Sequence, residues 1–389
     1  MGQQLTRRSF LKGMGVATIV VAGGLVWRAA DSGVFSVGQG VAYELWTNWR
    51  DAQDKRLNLI RAAILASNPH NSQPWLFRVA DKQIDLFADT ERNIGAIDPF
   101  GREMHIGLGA ALANLMLAAR AEGFAPTLTL LPTASDATHV ARVELRPDTA
   151  EVSPLYDAIP RRHTDRAAFD TTRSISAAKL DRLSALADGL THVQIRWIAD
   201  PAAVRYFCDQ TLAATQAIID DEQQSADSFA WQRSTWHELQ EKRDGLTYDV
   251  QGMGALVTSI VKMLPPISKE QSDQGWYEAM RDRQLATTST VGLIVARDAM
   301  NVHQRLEAGR LWQYLHLQMT VDGLSAQPLN QLVERGDREI QLGSDQRFGR
   351  VLTELISDND WSALMPFRVG YPTASTLPSP RREVSAVLL

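Results

Sequence analysis

A polar loop between two hydrophobic segments contains residue types that suit the binding of a planar ring. It runs from Ala66 to Trp75 with the sequence ASNPHNSQPW, after an expected helix at Leu57 to Leu65 and before an expected strand at Trp75 to Val79. Side-chain amides such as those of Asn71 and Gln73 present a donor and an acceptor together, which suits the mixed edge of a flavin ring or a nucleobase. The same composition is typical of a turn held by its own Asn and Ser side chains, so both interpretations stay open.

A second cluster concentrates positive charge. The segment from Ile159 to Asp170, IPRRHTDRAAFD, places three arginines and a histidine within six positions, ahead of an expected helix. Arginines beside a hydroxyl, here Arg162, Thr164 and Arg166, make a good phosphate clamp, and a solvated charged surface is the alternative. A basic pair that includes Arg381 lies near the C-terminal end. It can meet the same phosphate only if the fold brings the tail back.

Composition excludes several other kinds of chemistry. The chain has 389 residues, 44% of them hydrophobic, and a formal net charge of -5, so a broad basic surface for nucleic acid is not expected. The single cysteine, Cys208, excludes an intrachain disulfide, an Fe–S cluster bound only by this chain's thiolates and a multi-cysteine zinc site. In the sequence HELQE, Glu241 stands where a zinc protease needs its second histidine, so no metal site is expected. A GxSxG nucleophile motif is also absent.

The first thirty residues are typical of an export signal. Leu5 to Lys12, LTRRSFLK, closely matches the twin-arginine motif, and a moderately apolar run from Gly13 to Trp27 follows it. That run is short and glycine-rich for a membrane-spanning helix, which needs about 20 apolar residues. We therefore expect export through the twin-arginine translocase to the periplasm or beyond, with membrane association only through an uncleaved signal. Because this route carries folded proteins, it suits a chain that takes up an organic cofactor before export.

The body of the chain contains an internal repeat. Residues His105 to Phe124 align without gaps with Arg305 to Leu324, so that Gly109 matches Gly309. Both segments are predicted to be long core helices that end at a glycine. A strand is predicted before and after each helix, at Gln83–Asp89, Val140–Arg146, Val291–Asp298 and Pro366–Gly370.

A duplicated strand–helix–strand unit predicts two halves packed about a pseudo-two-fold axis, imitating a homodimer. After the signal at residues 1–30, the first half is expected over residues 31–154 and the second over residues 155–389. The second half has an insertion near residues 228–273 that is rich in tryptophan and glycine. Such an insertion is either a mobile lid or a structural excursion that covers the core.

The two polar clusters together resemble those of the nitroreductase family of FMN oxidoreductases. The run RRHTDRAAFD followed by Ile175-Ser176 is similar to that family's opening motif, and ASNPHNSQPW to its loop before the QPW strand. The segment from Ser325 to Pro328, a strand ending in RVGYP and the basic tail also follow in family order, so the resemblance covers almost everything after about Tyr43. The QPW loop lies in one half and the arginine motif in the other, which resembles the single-chain Acg-type branch with one composite site.

This resemblance implies an α+β, nitroreductase-like fold of two fused halves forming a pseudo-dimer, each a β-sheet packed with helices around a long core helix. It implies one FMN per chain. The residues implied to hold the phosphate and ribityl end are Arg162, Thr164, Arg166 and Arg381. It further implies that Asn71 and Gln73 face the ring and that Ser325 to Gln327, with Ser325 and Gln327 as binding residues, lie beside its reactive edge. No catalytic acid or base is predicted.

The expected function is electron transfer through FMN to a small acceptor such as a nitroaromatic or a quinone. Nicotinamide cofactors are scarce outside the cytoplasm, so an exported enzyme needs another electron donor or a partner protein. The alternative is a protein that stores or sequesters FMN with little or no turnover. Repeated reduction and reoxidation of bound flavin distinguishes the two.

Overall fold

The computed structural model describes residues 26–389 of the chain. The twin-arginine motif and most of the apolar run after it lie outside the described residues, so the export signal stays a prediction. From Leu45 onward the α-helices are α1 (Leu45–Asn48), α2 (Lys55–Ile64), α3 (Arg102–Ala121), α4 (Pro154–Ala158), α5 (Ala177–Ser184), α6 (Pro201–Asp220), α7 (Glu222–Phe229), α8 (Trp236–Lys242), α9 (Ala255–Met263), α10 (Lys269–Ala279), α11 (Val302–Val321), α12 (Gln331–Leu342) and α13 (Arg347–Ile356).

Two antiparallel sheets of four strands have the same topology. The strands are β1 (Trp75–Val79), β2 (Gln83–Ala88), β3 (Phe124–Leu130), β4 (His139–Pro147), β5 (Val193–Ile198), β6 (Gln232–Arg233), β7 (Leu246–Thr247), β8 (Val291–Ala296), β9 (Ser325–Pro328) and β10 (Ser362–Gly370). The first sheet has the order β1-β2-β4-β3 and the second β5-β8-β10-β9. Along the chain, a 20-residue core helix lies between the two central strands of each sheet: α3 between β2 and β4, and α11 between β8 and β10.

The two long helices predicted from the repeat are confirmed as α3 and α11, and the four strands predicted beside them are confirmed as β2, β4, β8 and β10. Helices α3 and α11 begin at Arg102 and Val302, an offset of 200, and each is followed by a glycine with positive φ, at Gly123 and Gly323. That left-handed conformation is easiest for glycine, which explains why the helices end there. Helix α3 is long and apolar enough to cross a membrane, but 78% of its apolar window is buried inside the protein. It is therefore placed as a core helix.

The two core helices cross each other at a reciprocal contact. A Cβ on Gly109 would collide with the Leu306 carbonyl oxygen, and a Cβ on Gly309 would collide with the Ile106 carbonyl oxygen. Adding the repeat offset of 200 converts Gly109 into Gly309 and Ile106 into Leu306, so each helix makes the same contact with the other, as expected for a self-complementary interface. Only glycine permits such close approach of two backbones. Nearby, Gln313 of α11 donates to Asn114 of α3 at 2.8 Å.

The insertion and the C-terminal tail both return to the first half. Strands β6 and β7 form a small parallel pair within the insertion, and the Gly245 N–H donates to the Asn71 carbonyl oxygen at 3.2 Å. In the tail, the Arg381 N–H donates to the Ala42 carbonyl oxygen at 2.8 Å, and Val387 is completely buried in the first half's core. The fold therefore brings residues of both halves to the polar loop.

Candidate binding cavity

A cavity of about 610 Å³ lies where the polar loop, the arginine motif and the insertion meet. Its volume is in the range of small-molecule and cofactor sites, roughly 300–1,000 Å³. The first half contributes residues 67–70 and the start of α3, and the second half contributes Thr164, Arg166 and the region around Gln327. Insertion residues such as Tyr248 and Met253 line it as well. Whether the insertion moves as a lid stays a prediction.

The polar loop has an unusual backbone. His70, Asn71 and Gln73 have positive φ values of 47°, 54° and 54°, a conformation that L-residues adopt rarely. The His70 ring lines the cavity, with its Nε2 atom 3.0 Å from Ser228 Oγ. Burial, and secondarily the charge of Arg166, lowers the pKa of His70 to about 4, so the ring is neutral at pH 7.

The structure turns the side chains of Asn71 and Gln73 toward the insertion and the tail, and neither lines the cavity. The Asn71 amide donates to the carbonyl oxygens of Gly245 and Pro380 at 3.2 and 2.9 Å. The Gln73 amide donates to the Arg243 carbonyl oxygen and accepts from the Arg382 N–H, both at 2.9 Å. Their predicted contact with a ring stays a prediction, because in this structure both amides bind the protein's own backbone.

Arg162 and Arg381 lie behind the loop at the carboxyl end of α2. Arg162 donates to the Leu65 carbonyl oxygen at 3.0 Å. Arg381 donates to the Ala66 carbonyl oxygen at 3.3 Å and to Asn71 Oδ1 at 2.5 Å. A cation at the C-terminus of a helix is favourable, because the free carbonyl groups carry partial negative charge. The sequence analysis made a role for Arg381 depend on the tail returning to this region, and the fold does bring the tail back to the polar loop. Neither the Arg162 nor the Arg381 guanidinium, however, lines the cavity.

Thr164, Arg166 and Gln327 are the predicted site residues that line the cavity. Among residues 26–389, Arg166 makes one long hydrogen bond, to the Val250 carbonyl oxygen at 3.4 Å, so within this part of the chain most of its donors have no partner. Gln327 accepts from Arg368 Nε and donates to Gln284 Oε1, both at 2.7 Å. Ser325 pairs with Gly370 in the second sheet and does not line the cavity. Its role stays a prediction.

Positive charge in and behind this wall is not balanced by salt bridges. Within residues 26–389, no salt bridge to a carboxylate involves Arg162, Arg166, Arg283, Arg368 or Arg381. Burial lowers the pKa of all five; it is about 10 for Arg162 and Arg166 and about 9 for Arg368. The nearby carboxylate of Asp165 favours the charged form of Arg166 and Arg368. Arg166 and Arg283 act on Arg368 as like charges and Asp165 acts on it as an opposite charge, so this end of the cavity wall has an excess of positive charge that suits an anion.

Sequence reasoning missed several residues of the cavity. Arg283 and Gln284 lie in a π-helical turn, Met280–Gln284, that continues α10, and both line the cavity. π-helical turns occur often at functional sites, but no residue pattern in this segment indicates one. The ring of Trp312 also lines the cavity, from a position in α11 that the repeat predicted only as core. Glu103 and Glu334 also line the cavity and were missed, because both lie outside the repeat segments and outside every motif that the sequence indicated.

Fold and site together define an α+β protein of two similar sheets, with a polar cavity whose wall comes from both halves and carries positive charge at the Thr164–Arg166 end. No family model matches the chain. Over 126 residues it is 34% identical to a Mycobacterium tuberculosis H37Rv protein provisionally named NAD(P)H nitroreductase, covering 32% of this chain and 36% of that protein. A second protein of that strain, provisionally named NAD(P)H nitroreductase Acg, is 34% identical over 113 residues, 28% of this chain and 34% of that protein. The chain thus aligns with about a third of the length of these curated relatives.

Solved structures of nitroreductases also resemble the chain. A Bacteroides fragilis nitroreductase with bound FMN is 11% identical and covers 61% of this chain and 99% of its own, with a TM-score of 0.37. The FMN-dependent nitroreductase NfnB of Mycobacterium smegmatis, in complex with NADPH, is 14% identical and covers 60% and 97%, also with a TM-score of 0.37.

Proposed function

We propose that this chain is an FMN-dependent oxidoreductase of the nitroreductase type. The observation that carries the proposal is the unbalanced positive charge of Arg166 and Arg283 in the wall of a cofactor-sized cavity, beside the Thr164 hydroxyl. Guanidinium groups and a hydroxyl suit a phosphate monoester. The sequence similarity to proteins named as nitroreductases supports the same class.

The residues present fit FMN in part. Thr164, Arg166 and Arg283 would hold the phosphate, and the amide of Gln327 would orient the ring from the second half. Asn68 and His70 line the cavity from the first half and join Asn71 and Gln73 as our candidates for ring contacts. When bound, the flavin supplies electron transfer to an acceptor, and the chain's residues position it and exclude water.

We further infer that the two halves form a pseudo-dimer with a single composite site. The equal strand orders of the two sheets and the reciprocal glycine contacts at the helix crossing support this inference. The polar loop occurs in the first half only and the arginine motif in the second only. One site per chain follows from that asymmetry.

Flavin content and its dependence on Arg166 test the proposed function. The purified full chain should absorb as oxidised flavin and hold one FMN per chain after addition of FMN. Arg166→Ala should weaken FMN binding about tenfold or more, because it removes charge-assisted hydrogen bonds to phosphate. Arg161→Ala is the matched control, since Arg161 is an exposed arginine of the same motif. Absence of flavin after reconstitution, or an equal effect of both variants, would contradict the proposal.

The electron acceptor, the export route and the role as an enzyme are parts of the same proposal. A nitroaromatic or a quinone is the acceptor we propose, and twin-arginine export rests on residues 5–12 of the sequence. Bound FMN reduced by dithionite should be reoxidised by such an acceptor over many cycles. Flavin that exchanges without reoxidation would instead identify a storage protein.

A further inference from the structure

One wall of the cavity carries two carboxyl groups that lie together. Glu103 belongs to the first turn of α3 and Glu334 to the first turn of α12, and each is 7% exposed and lines the cavity. The two carboxyl groups are close enough that each shifts the pKa of the other. Two carboxyl groups in such contact must share a proton, because two buried like charges repel strongly.

The neighbouring charges do not neutralise this pair. Asp98 accepts from the backbone N–H groups of Glu103 and Met104, at 3.1 and 2.9 Å. Arg102 forms its salt bridge with Asp337, and Arg305 donates to the Ala299 and Phe100 carbonyl oxygens. Four carboxyl groups therefore face two guanidiniums, and no salt bridge in the described part of the chain involves Glu103 or Glu334.

Several side-chain oxygens near Glu103 and Glu334 in the cavity wall lack a hydrogen-bond donor among the described residues. Within residues 26–389, Glu103 Oε1, Gln331 Oε1 and Asn330 Oδ1 have no hydrogen-bond partner, and all three residues line the cavity. Gln331 is only 6% exposed. A buried acceptor without a donor is unfavourable, so each of these oxygens has the chemistry to receive a donor from a ligand.

We propose that Glu103, Glu334 and Gln331 form a subsite for a protonated amine, so that a molecule bound in this cavity carries an ammonium group. An ammonium group has three donors and no acceptor, and thus matches a wall of acceptors with excess negative charge. Binding would replace the proton that the pair shares. The inference deepens the proposed function, because it specifies the substrate class, but it concerns residues other than those assigned to FMN.

The pKa values of Glu103 and Glu334 predict how amine affinity depends on pH. Burial raises the pKa of Glu334 to about 7 and that of Glu103 well above its ordinary value. Below pH 7 both carboxyl groups are protonated and the pair is neutral. Above pH 7 Glu334 gives up its proton and the pair becomes negatively charged, with the remaining proton shared between the two groups, so amine affinity should rise as the pH rises through about 7, while the affinity of a neutral analogue should not change.

Calorimetric titration of the full chain with benzylamine and benzyl alcohol tests the subsite. The two probes share a ring and differ in charge, and neither is an electron acceptor. At pH 8 we expect benzylamine to bind about tenfold or more tightly than benzyl alcohol. Glu103→Gln and Glu334→Gln should each reduce this preference about tenfold and leave the affinity for benzyl alcohol unchanged. Glu278→Gln is the control, because Glu278 is an exposed carboxylate at the cavity rim that accepts from Gln274.

The possible results separate the subsite from the flavin site. Equal affinity of the two probes, a preference that survives Glu103→Gln, or displacement of benzylamine by calcium at equal concentration would overturn the proposal. If a glutamate variant does not fold, Gln331→Leu provides the test, with an expected loss of about threefold or more in the benzylamine preference. Flavin content is measured in the same samples. A flavin-free protein that prefers benzylamine supports the subsite and refutes FMN, whereas a yellow protein without the preference does the reverse.

Discussion

Buried histidines should make the stability of this protein depend on pH. His316 is 1% exposed, its Nδ1 atom lies 3.4 Å from a guanidinium nitrogen of Arg162, and its Nε2 atom lies 3.2 Å from the His163 carbonyl oxygen. Burial and the Arg162 charge hold its pKa well below the ordinary value. The pKa values of three further histidines are lowered by burial, those of His70, His105 and His163. All four are therefore neutral in the folded protein at pH 6.

The sign of the effect follows from which state binds protons. Below pH 6.5 the unfolded chain protonates its histidines and the folded chain does not, so the free energy of unfolding falls as the pH drops from 6.5 toward 4. His316→Gln should reduce this slope by about 1.4 kcal/mol per pH unit, the contribution of one proton. Urea unfolding at pH 6.5, 5.5 and 4.5 measures it. His192→Gln is the control and should leave the slope unchanged, because His192 is exposed and forms no salt bridge within residues 26–389. Parallel slopes for wild type and His316→Gln would show that His316 is already protonated in the folded state.

Two helices determine how closely the halves of the molecule approach. Gly309→Ala should destabilise the protein by about 1–3 kcal/mol or more, because the new methyl group meets the Ile106 backbone, which cannot move as a side chain can. Gly336→Ala is a control within another helix, where the nearest atom lies 3.7 Å from the added Cβ. It should be neutral or stabilise by about 0.5–1 kcal/mol, since alanine favours helix more than glycine does.

Thermal unfolding followed by circular dichroism distinguishes the two glycine variants. If Gly309→Ala were as stable as Gly336→Ala, the close crossing of α3 and α11 would be wrong. The inference of a pseudo-dimer would then lose one of its two supports.

For the whole molecule, the C-terminal tail connects the second half to the first. The buried side chain of Val387 and the bond from the Leu389 N–H to the Phe77 carbonyl oxygen, at 2.9 Å, hold it against β1. Val387→Asp should lower the free energy of unfolding by about 3 kcal/mol or more, because it buries an unpaired charge. It should also weaken FMN binding, since the tail supports the polar loop through Arg381 and Arg382.

Ser385→Asp is the control for Val387→Asp. It introduces an aspartate two positions earlier in the tail, where the side chain is exposed. Denaturant unfolding and FMN titration of both variants measure the effect. Equal behaviour of the two variants would mean that the tail does not hold the halves together.

Local pattern in the sequence was enough to predict most elements. The helix expected at Leu57 to Leu65 is α2, the strand expected at Trp75 to Val79 is β1, and the long helices of the repeat end near their predicted glycines. Hydrophobic periodicity and the residues that end helices or strands are local properties of the sequence, so helices and strands can be predicted without knowledge of the tertiary fold. The composition of the polar loop and of the arginine motif likewise indicated two segments that contribute residues to the cavity wall.

Tertiary structure decided which side chains reach the cavity. Asn71 and Gln73 have the right chemistry, but a left-handed backbone directs their amides to the insertion and the tail. Glu103 and Glu334 are 231 positions apart, and only the packing of α12 near α3 brings their carboxyl groups together. No local pattern contains that information, because the direction of a side chain and the meeting of distant residues depend on how the whole chain packs.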